Sequence, residues 1–169
     1  MDNLLSPALT AKALALGPRL IRFGATLAAA ESLTGGLCSA ALTYAPGSST
    51  VFLAGIVAYS IKAKNAILNV ERKLLDTHGP VSQPVALAMA QGVQKLTGSD
   101  LAIATTGLAG PDGGSADLPI GLYYVAAVGL GQELWLSRQV PGDRGQVVEA
   151  AALSALELLE TLLNRPTLA

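Results

Sequence analysis

Apolar positions at the start of the chain recur at helical spacing. They predict a helix over residues 8–23, on the evidence of Leu9, Ala13, Leu16, Leu20 and Phe23. Pro18 lies inside this segment and lacks a backbone N–H, so we expect it to kink or divide the helix. The next apolar run, over residues 26–30, predicts a short buried strand that ends at Glu31-Ser32.

Predicted helices and strands continue to alternate beyond this point. Helices are predicted over residues 37–44, 63–68, 71–77, 83–96 and 146–163. Strands are predicted over residues 51–60 and 100–106, followed by a β-hairpin over 120–140 that turns at 129–131. Ser82 is the expected N-cap of the helix that starts at Gln83. The alternation predicts one α/β domain over residues 1–169, with helices on both faces of a mixed sheet.

The composition is that of a small soluble domain. Apolar residues make up 51% of the 169 residues, yet no apolar run approaches the roughly 18–20 residues of a membrane span. Residues 1–10 include Asp2 and lack the basic start of a signal peptide, so we expect a cytoplasmic protein. A net charge of −1 provides no basic surface for nucleic acid, although one or two cations suffice for a small anionic ligand. The high apolar content for this length favours a homodimer.

Two of the predicted strands end in residues that are capable of catalysis. Ser32 follows the first strand and precedes the turn Thr34-Gly35-Gly36, which suits a nucleophile or a phosphate site, although a simple helix cap is an alternative. Tyr59 closes the second strand, and Lys64 lies in the first turn of the next helix. A neutral, partly desolvated lysine can act as a general base toward a serine, but an ordinary surface lysine is also possible.

Two further segments carry features of a ligand site. The loop after the third strand has four glycines in eight positions, over residues 107–114, and is neither a P-loop nor a dinucleotide fingerprint. Glycines allow the backbone to approach a ligand closely, so we expect ligand contact here. Arg144 follows a tight turn after the last strand, where it can hold a phosphate or carboxylate or simply be exposed.

The remaining candidates are structural. His78, the single histidine, precedes Gly79 and favours a helix C-terminus, so a conventional Ser-His-Asp triad would require His78 as its base. No cluster of Cys, His or carboxylate residues has the spacing of a metal site, and no cofactor is expected. Cys38 and Trp135 are both expected to pack in the interior.

Several motifs, in this order, resemble those of a known family. The chain is similar to the C-terminal domain of the competence/damage-inducible CinA proteins, a domain also found alone as nicotinamide mononucleotide deamidases. The resemblance extends from about Ala8 to Leu163. The motifs that carry it are Ala30-Glu31-Ser32-Leu33-Thr34-Gly35-Gly36, Pro46-Gly47-Ser48-Ser49, Tyr59-Ser60 with Lys64, Gly79-Pro80-Val81-Ser82, the run 106–114, and Gly142-Asp143-Arg144.

The resemblance implies a fold, a reaction and a set of working residues. The fold is a three-layer α/β/α sandwich whose mixed sheet includes an antiparallel C-terminal strand. The reaction is hydrolysis of the carboxamide of nicotinamide mononucleotide to nicotinate mononucleotide and ammonia, in pyridine-nucleotide salvage and without a metal. Larger members carry an additional N-terminal domain, so the chain corresponds to the stand-alone form. The implied catalytic residues are Ser32, Tyr59 and Lys64.

On this basis Lys64 removes the Ser32 proton directly or through the Tyr59 hydroxyl, and Ser32 attacks the carboxamide carbon. Backbone N–H groups of the turn after Ser32, or of the glycine loop, stabilise the oxyanion. Arg144 and the loop hold the phosphate and ribose of the nucleotide. The expected substrate-binding residues are Thr34, Gly35, Gly36, Thr106, Gly107, Gly110 and Arg144.

The chain departs from the family pattern beside the predicted base. The common Tyr-Ser-Asn-Glu-x-Lys run has Ile61 and Lys62 in place of the Asn and the acidic residue, and Gln83 replaces a usual Glu. Lys62 and Lys64 differ by about 200° around a helix, so only one of them can point into the cleft, and the family pattern places Lys64 there. A nucleotide-binding or regulatory module without turnover is the alternative function.

Overall fold

The computed structural model describes residues 5–165 and is built around one five-stranded sheet. The strands are β1 (Leu27–Glu31), β2 (Phe52–Val57), β3 (Leu101–Gly107), β4 (Leu122–Gly129) and β5 (Gln132–Gln139). Their order across the sheet is β2-β1-β3-β4-β5. β1 pairs in parallel with β2 and β3, whereas β4 is antiparallel to both β3 and β5. The sheet is therefore mixed, as predicted, and β4 runs opposite to its other strands.

Within residues 5–165, six α-helices surround the sheet. They are α1 (Pro7–Phe23), α2 (Leu37–Tyr44), α3 (Ile61–Leu68), α4 (Arg72–His78), α5 (Gln83–Thr97) and α6 (Arg144–Asn164). A single 3₁₀ turn, Ser48–Thr50, precedes β2. None of the helices within residues 5–165 is long and apolar enough to cross a membrane.

Side chains that alternate along β1 build a core on each face of the sheet. Leu27 and Ala29 point to one face and pack in a cluster with α1, α2 and α6. Ala28 and Ala30 point to the other face and pack with α5 and the segments that flank it. Because both faces are covered, all five residues of β1 are buried. This arrangement confirms the three-layer α/β/α sandwich.

One glycine allows two helices on the second face to approach closely. A Cβ atom at Gly92 of α5 would lie 2.1 Å from the carbonyl oxygen of Leu68, the last residue of α3. A side chain at this position would therefore push α3 away from α5. The absence of one lets α3 pack closely against α5, with Lys64 on the buried side of α3.

Three expectations about single residues were wrong in part. Pro18 does not divide the first helix, because α1 continues from Pro7 to Phe23 and packs residues on both sides of Pro18 into the core. Ser82 occupies the N-cap position of α5, but its hydroxyl donates to the carbonyl oxygen of Gly79 instead of accepting from the helix. Trp135 is 45% exposed because its position on β5 faces away from the core.

The chain direction of the strands collects four segments at one edge of the sheet. The carboxyl ends of β1, β2 and β3 lie side by side, because these strands are parallel neighbours. β5 points the same way, since it is separated from β3 by the antiparallel β4. The residues after these strands therefore meet, which is where open α/β sheets bind ligands.

Candidate active site

Ser32 and Lys64 are in direct contact at this edge. Lys64 Nζ lies 2.9 Å from Ser32 Oγ and donates a second hydrogen bond, of 3.0 Å, to the carbonyl oxygen of Ala58. Ser32 comes immediately after β1, and Lys64 lies on α3, whose N-cap Ser60 accepts from the N–H of Ala63. The end of a strand and the first turns of a capped helix thus bring a hydroxyl and an amine within hydrogen-bond distance.

The Lys64 side chain is almost completely buried. Only 1% of its surface is exposed, and no carboxylate within residues 5–165 forms an ion pair with it. Because burial disfavours the charged form, the pKa of Lys64 falls from 10.5 to about 8. About a fifth of the Lys64 amines are therefore neutral at pH 7.4. A neutral amine in contact with a serine hydroxyl can accept its proton.

The neighbouring lysine has no such environment. Lys62 is exposed to solvent, two residues before the buried Lys64 on the same helix. This placement is the one expected from the rotation of about 200° between the two side chains. The amine that meets Ser32 is therefore that of Lys64.

A buried carboxylate fixes the turn that carries Ser32. Glu31, the last residue of β1, accepts hydrogen bonds from the backbone N–H groups of Gly36, Cys38 and Ser39, at 3.0, 3.0 and 2.8 Å. Its oxygens also accept from the hydroxyls of Thr34 and Ser39. The carboxylate supplies the N-terminal cap of α2, since Gly36 at the N-cap position has no side chain. The strand, the turn and the helix are thereby joined directly beside the serine.

Arg144 and Tyr59 form a bridge over the same edge. Arg144 donates one hydrogen bond of 2.6 Å to the Tyr59 hydroxyl and another of 2.8 Å to the carbonyl oxygen of Gly110. Arg144 begins α6, where Asp143 and Gln146 form a reciprocal capping box. The bridge links the end of β2, the glycine loop and the start of the last helix.

These groups surround a cavity of about 260 Å³. Most of the predicted site residues line it: Ser32, Tyr59, Lys64, Thr106, Gly107, Gly110 and Arg144. Thr106 is buried and donates a hydrogen bond of 2.7 Å to the carbonyl oxygen of Pro80, which fixes the segment before α5 beside the cavity. The structure therefore brings together residues from four separate segments of the sequence.

Three predicted substrate-binding residues lie elsewhere. Thr34, Gly35 and Gly36 do not line this cavity. The Thr34 hydroxyl and the Gly36 N–H are bonded to Glu31, and the Gly35 N–H donates to the carbonyl oxygen of Ser32. This turn is therefore occupied in shaping the backbone around Ser32, and its contact with substrate is not supported.

A relay through Tyr59 is likewise not supported. Within residues 5–165 the Tyr59 hydroxyl bonds to Arg144 and not to Ser32 or Lys64, while the lysine meets the serine directly. His78 lies at the end of α4 and does not line the cavity, so it supplies no base to Ser32.

The cavity lining also includes residues that were not named individually as site residues, although they lie in the quoted motifs and in the loop of residues 107–114. The additional lining residues are Leu33, Pro80, Val81, Leu108, Ala109 and Asp112. Outside this lining, Glu31 shapes the site, because it accepts five hydrogen bonds from the turn after Ser32 and from the start of α2. Its signal in the sequence is a charged residue at the end of an alanine-rich strand. Within residues 5–165 no group of three or more His, Cys, Asp or Glu side chains is arranged to hold a metal ion.

The low pKa of Lys64 predicts a specific dependence of stability on pH. Between about pH 8 and 10.5 the unfolded chain binds a proton on Lys64 that the folded protein does not, so folding becomes more favourable as the pH rises through this range. Relative to Lys64→Met, the free energy of unfolding of the unchanged protein should rise by about 3 kcal/mol across it. Urea unfolding of both proteins at pH 7, 8, 9 and 10 measures this difference.

The exposed Lys62 provides the matched control for that measurement. Lys62→Met should unfold in parallel with the unchanged protein at every pH. If the free energies of unfolding of Lys64→Met and of the unchanged protein differ by the same amount from pH 7 to 10, the pKa of Lys64 is not depressed.

Comparison with known proteins identifies the family of the chain. The model of the CinA C-terminal domain matches residues 10–163. A CinA-like protein of Geotalea uraniireducens is 46% identical over 140 residues, which are 83% of this chain and 33% of that protein. The chain thus spans about a third of the length of the curated relatives it matches.

Solved structures agree over nearly the whole chain. The competence/damage inducible protein CihA of Agrobacterium tumefaciens superposes with a TM-score of 0.91 at 36% identity, covering 96% of this chain and 99% of its own. A CinA superfamily protein of Escherichia coli superposes with a TM-score of 0.88 at 33% identity, covering 96% of this chain and 95% of its own. Sequence motifs, fold and matched residues agree, and the chain belongs to the CinA C-terminal domain family.

Proposed function

We propose that this protein hydrolyses the carboxamide of nicotinamide mononucleotide, yielding nicotinate mononucleotide and ammonia. The observation that carries the proposal is the contact of 2.9 Å between the buried amine of Lys64 and the hydroxyl of Ser32. A serine activated by a neutral lysine is a nucleophile for acyl transfer, the class to which amide hydrolysis belongs. The choice of nucleotide rests on the resemblance to deamidases of the same family.

The first half of the reaction forms an acyl-enzyme. Neutral Lys64 accepts the proton of Ser32 as the serine oxygen bonds to the carboxamide carbon. The oxyanion needs N–H donors, and within residues 5–165 the backbone N–H groups of Leu33, Ala109 and Gly110 have no partner although these residues line the cavity. One such donor contributes about 2.7–4 kcal/mol to the transition state.

Proton return from Lys64 completes the first half. The lysine ammonium gives its proton to the amide nitrogen as the carbon–nitrogen bond breaks, so ammonia leaves and an ester with Ser32 remains. Water then attacks the ester, Lys64 accepts a proton from it, and Ser32 regains its proton as nicotinate mononucleotide departs. The lysine acts as base and acid in turn, without a histidine.

Arg144 is the candidate for binding the anionic part of the nucleotide. Its guanidinium lies at the cavity, held in place by Tyr59 and by the carbonyl oxygen of Gly110. A guanidinium has five donors and these two contacts use two of them, so donors remain for a phosphate. Tyr59 therefore orients the arginine in this scheme and takes no part in proton transfer.

A purified-protein assay for ammonia release from nicotinamide mononucleotide is the first test. It separates an amidase from a module that binds the nucleotide without turnover. Ammonia and nicotinate mononucleotide should appear in equal amounts. Tight nucleotide binding without either product would favour the binding module.

Ser32→Ala should lower the rate of ammonia release by roughly 10³-fold or more, because no other hydroxyl replaces the nucleophile. The change removes one oxygen atom from a small side chain, so folding should persist, as judged by circular dichroism. Nucleotide binding should also persist. Activity within a few-fold of that of the unchanged protein would rule out Ser32 as nucleophile.

Lys64→Ala should reduce the turnover number by roughly 10²–10⁴-fold, the usual contribution of a positioned general base. Lys62→Ala should have little effect, since Lys62 is exposed on the same helix. Both variants are measured at saturating nicotinamide mononucleotide. A severe loss at Lys62 with near-normal turnover at Lys64 would reverse the assignment.

The pH dependence of kcat/KM should follow the neutral form of Lys64. Because the protonated amine cannot accept the serine proton, kcat/KM should rise with pH up to about 8 and then level off. Initial rates at low substrate concentration between pH 6 and 10 provide the profile. Lys62→Ala should retain this profile, whereas a flat or falling profile in the unchanged protein would argue against a lysine base.

A further inference from the structure

Three charged side chains line the cavity, and one of them is an acid. Lys64 and Arg144 supply the cations, and Asp112 supplies the carboxylate. Both cations already have partners: Lys64 bonds to Ser32 and Ala58, and Arg144 bonds to the Tyr59 hydroxyl and the Gly110 carbonyl oxygen. Asp112 takes part in none of these contacts.

Within residues 5–165 the Asp112 carboxylate has neither a hydrogen bond nor an ion pair. Asp112 follows the loop position that Arg144 anchors through Gly110, and Gly110 itself packs against Ile120 across the loop. The loop thus holds at the cavity a negative charge that no side chain among the described residues neutralises. A ligand group of positive charge is the natural complement.

From this placement we infer that Asp112 selects substrates whose ring carries a positive charge, namely N-ribosyl pyridinium carboxamides, over neutral aromatic amides of the same shape. The inference rests on the proposed function and assigns to one residue of the same site the discrimination between charged and neutral rings. The pyridinium ring of nicotinamide mononucleotide has a permanent positive charge, and its phosphate is an anion. The cavity offers the carboxylate of Asp112 for the pyridinium ring and the guanidinium of Arg144 for the phosphate.

The expected effect is modest because Asp112 is exposed. Exposed pairs of opposite charge contribute little, so removal of the carboxylate should weaken binding of the cationic nucleotide by about three- to fivefold. A neutral ring with the same carboxamide, ribose and phosphate should bind equally well with or without the charge. Added salt should reduce the difference, since it screens exposed charges.

The test compares two ligands on three proteins that cannot turn over. Calorimetric Kd values are measured for nicotinamide mononucleotide and for benzamide riboside 5′-phosphate, whose ring is neutral. The proteins are Ser32→Ala alone, Ser32→Ala with Asp112→Asn, and Ser32→Ala with Asp117→Asn. Asp117 is the matched control, an acidic residue of the same loop that does not line the cavity.

Asp112→Asn should weaken binding of the pyridinium nucleotide three- to fivefold and leave binding of the neutral analogue unchanged, and Asp117→Asn should change neither. Equal weakening of both ligands would overturn the inference, because it would show contact with the shared ribose or phosphate. Unchanged binding of both, or no binding of the pyridinium nucleotide at all, would overturn it too. Ammonia release by the unchanged protein is measured separately, so loss of the amidase proposal is distinguished from loss of this one.

Discussion

The site depends on a lysine amine that is buried in the protein and that forms no ion pair with a carboxylate of residues 5–165. Taking an ammonium group out of water is costly, so folding lowers the pKa of Lys64 and makes its neutral form more accessible than in the unfolded chain. An acidic neighbour would restore the charge and make the amine useless as a base. The structure instead surrounds the amine with a serine hydroxyl and the Ala58 carbonyl oxygen, two uncharged partners.

The geometry of the sheet provides that position. Parallel neighbouring strands bring the end of β1 and the end of β2 to the same edge, and the helix that follows β2 returns toward the serine. Because Gly92 of α5 has no side chain, this helix can lie close to α5. The buried side chain of Lys64 therefore reaches from α3 to Ser32 at the end of β1. The fold therefore determines the protonation behaviour of one side chain.

The architecture could be predicted from the sequence because its signals are local. Apolar runs, glycines and the Gly129-Leu130-Gly131 turn each occupy a few consecutive residues, and the strands and helices follow them closely. The contact of Ser32 with Lys64 was accessible for a related reason, since both residues lie near strand ends. The family resemblance was needed to choose between Lys62 and Lys64, because spacing alone leaves the rotation of the helix open.

What could not be predicted depends on hydrogen bonds whose partners the sequence does not identify. The Thr34 hydroxyl donates to the buried carboxylate of Glu31. The sequence gives no distances, so it could not show that Thr34 bonds to Glu31 instead of to a ligand. The partner of Tyr59 is Arg144, which lies 85 residues further along the chain. The position of the exposed Asp112 at the rim of the cavity depends on the path of the loop, which its sequence does not specify.

The single cysteine makes the turn beside the serine observable. Cys38 is buried at the start of α2, and its backbone N–H donates to the carboxylate of Glu31. Burial, and secondarily the charge of Glu31, raises the pKa of its thiol, so the folded protein presents no reactive thiolate. A thiol reagent must therefore wait for local opening. Because this thiol is the only one in the sequence, its labelling rate reports how often the segment around Ser32 opens locally.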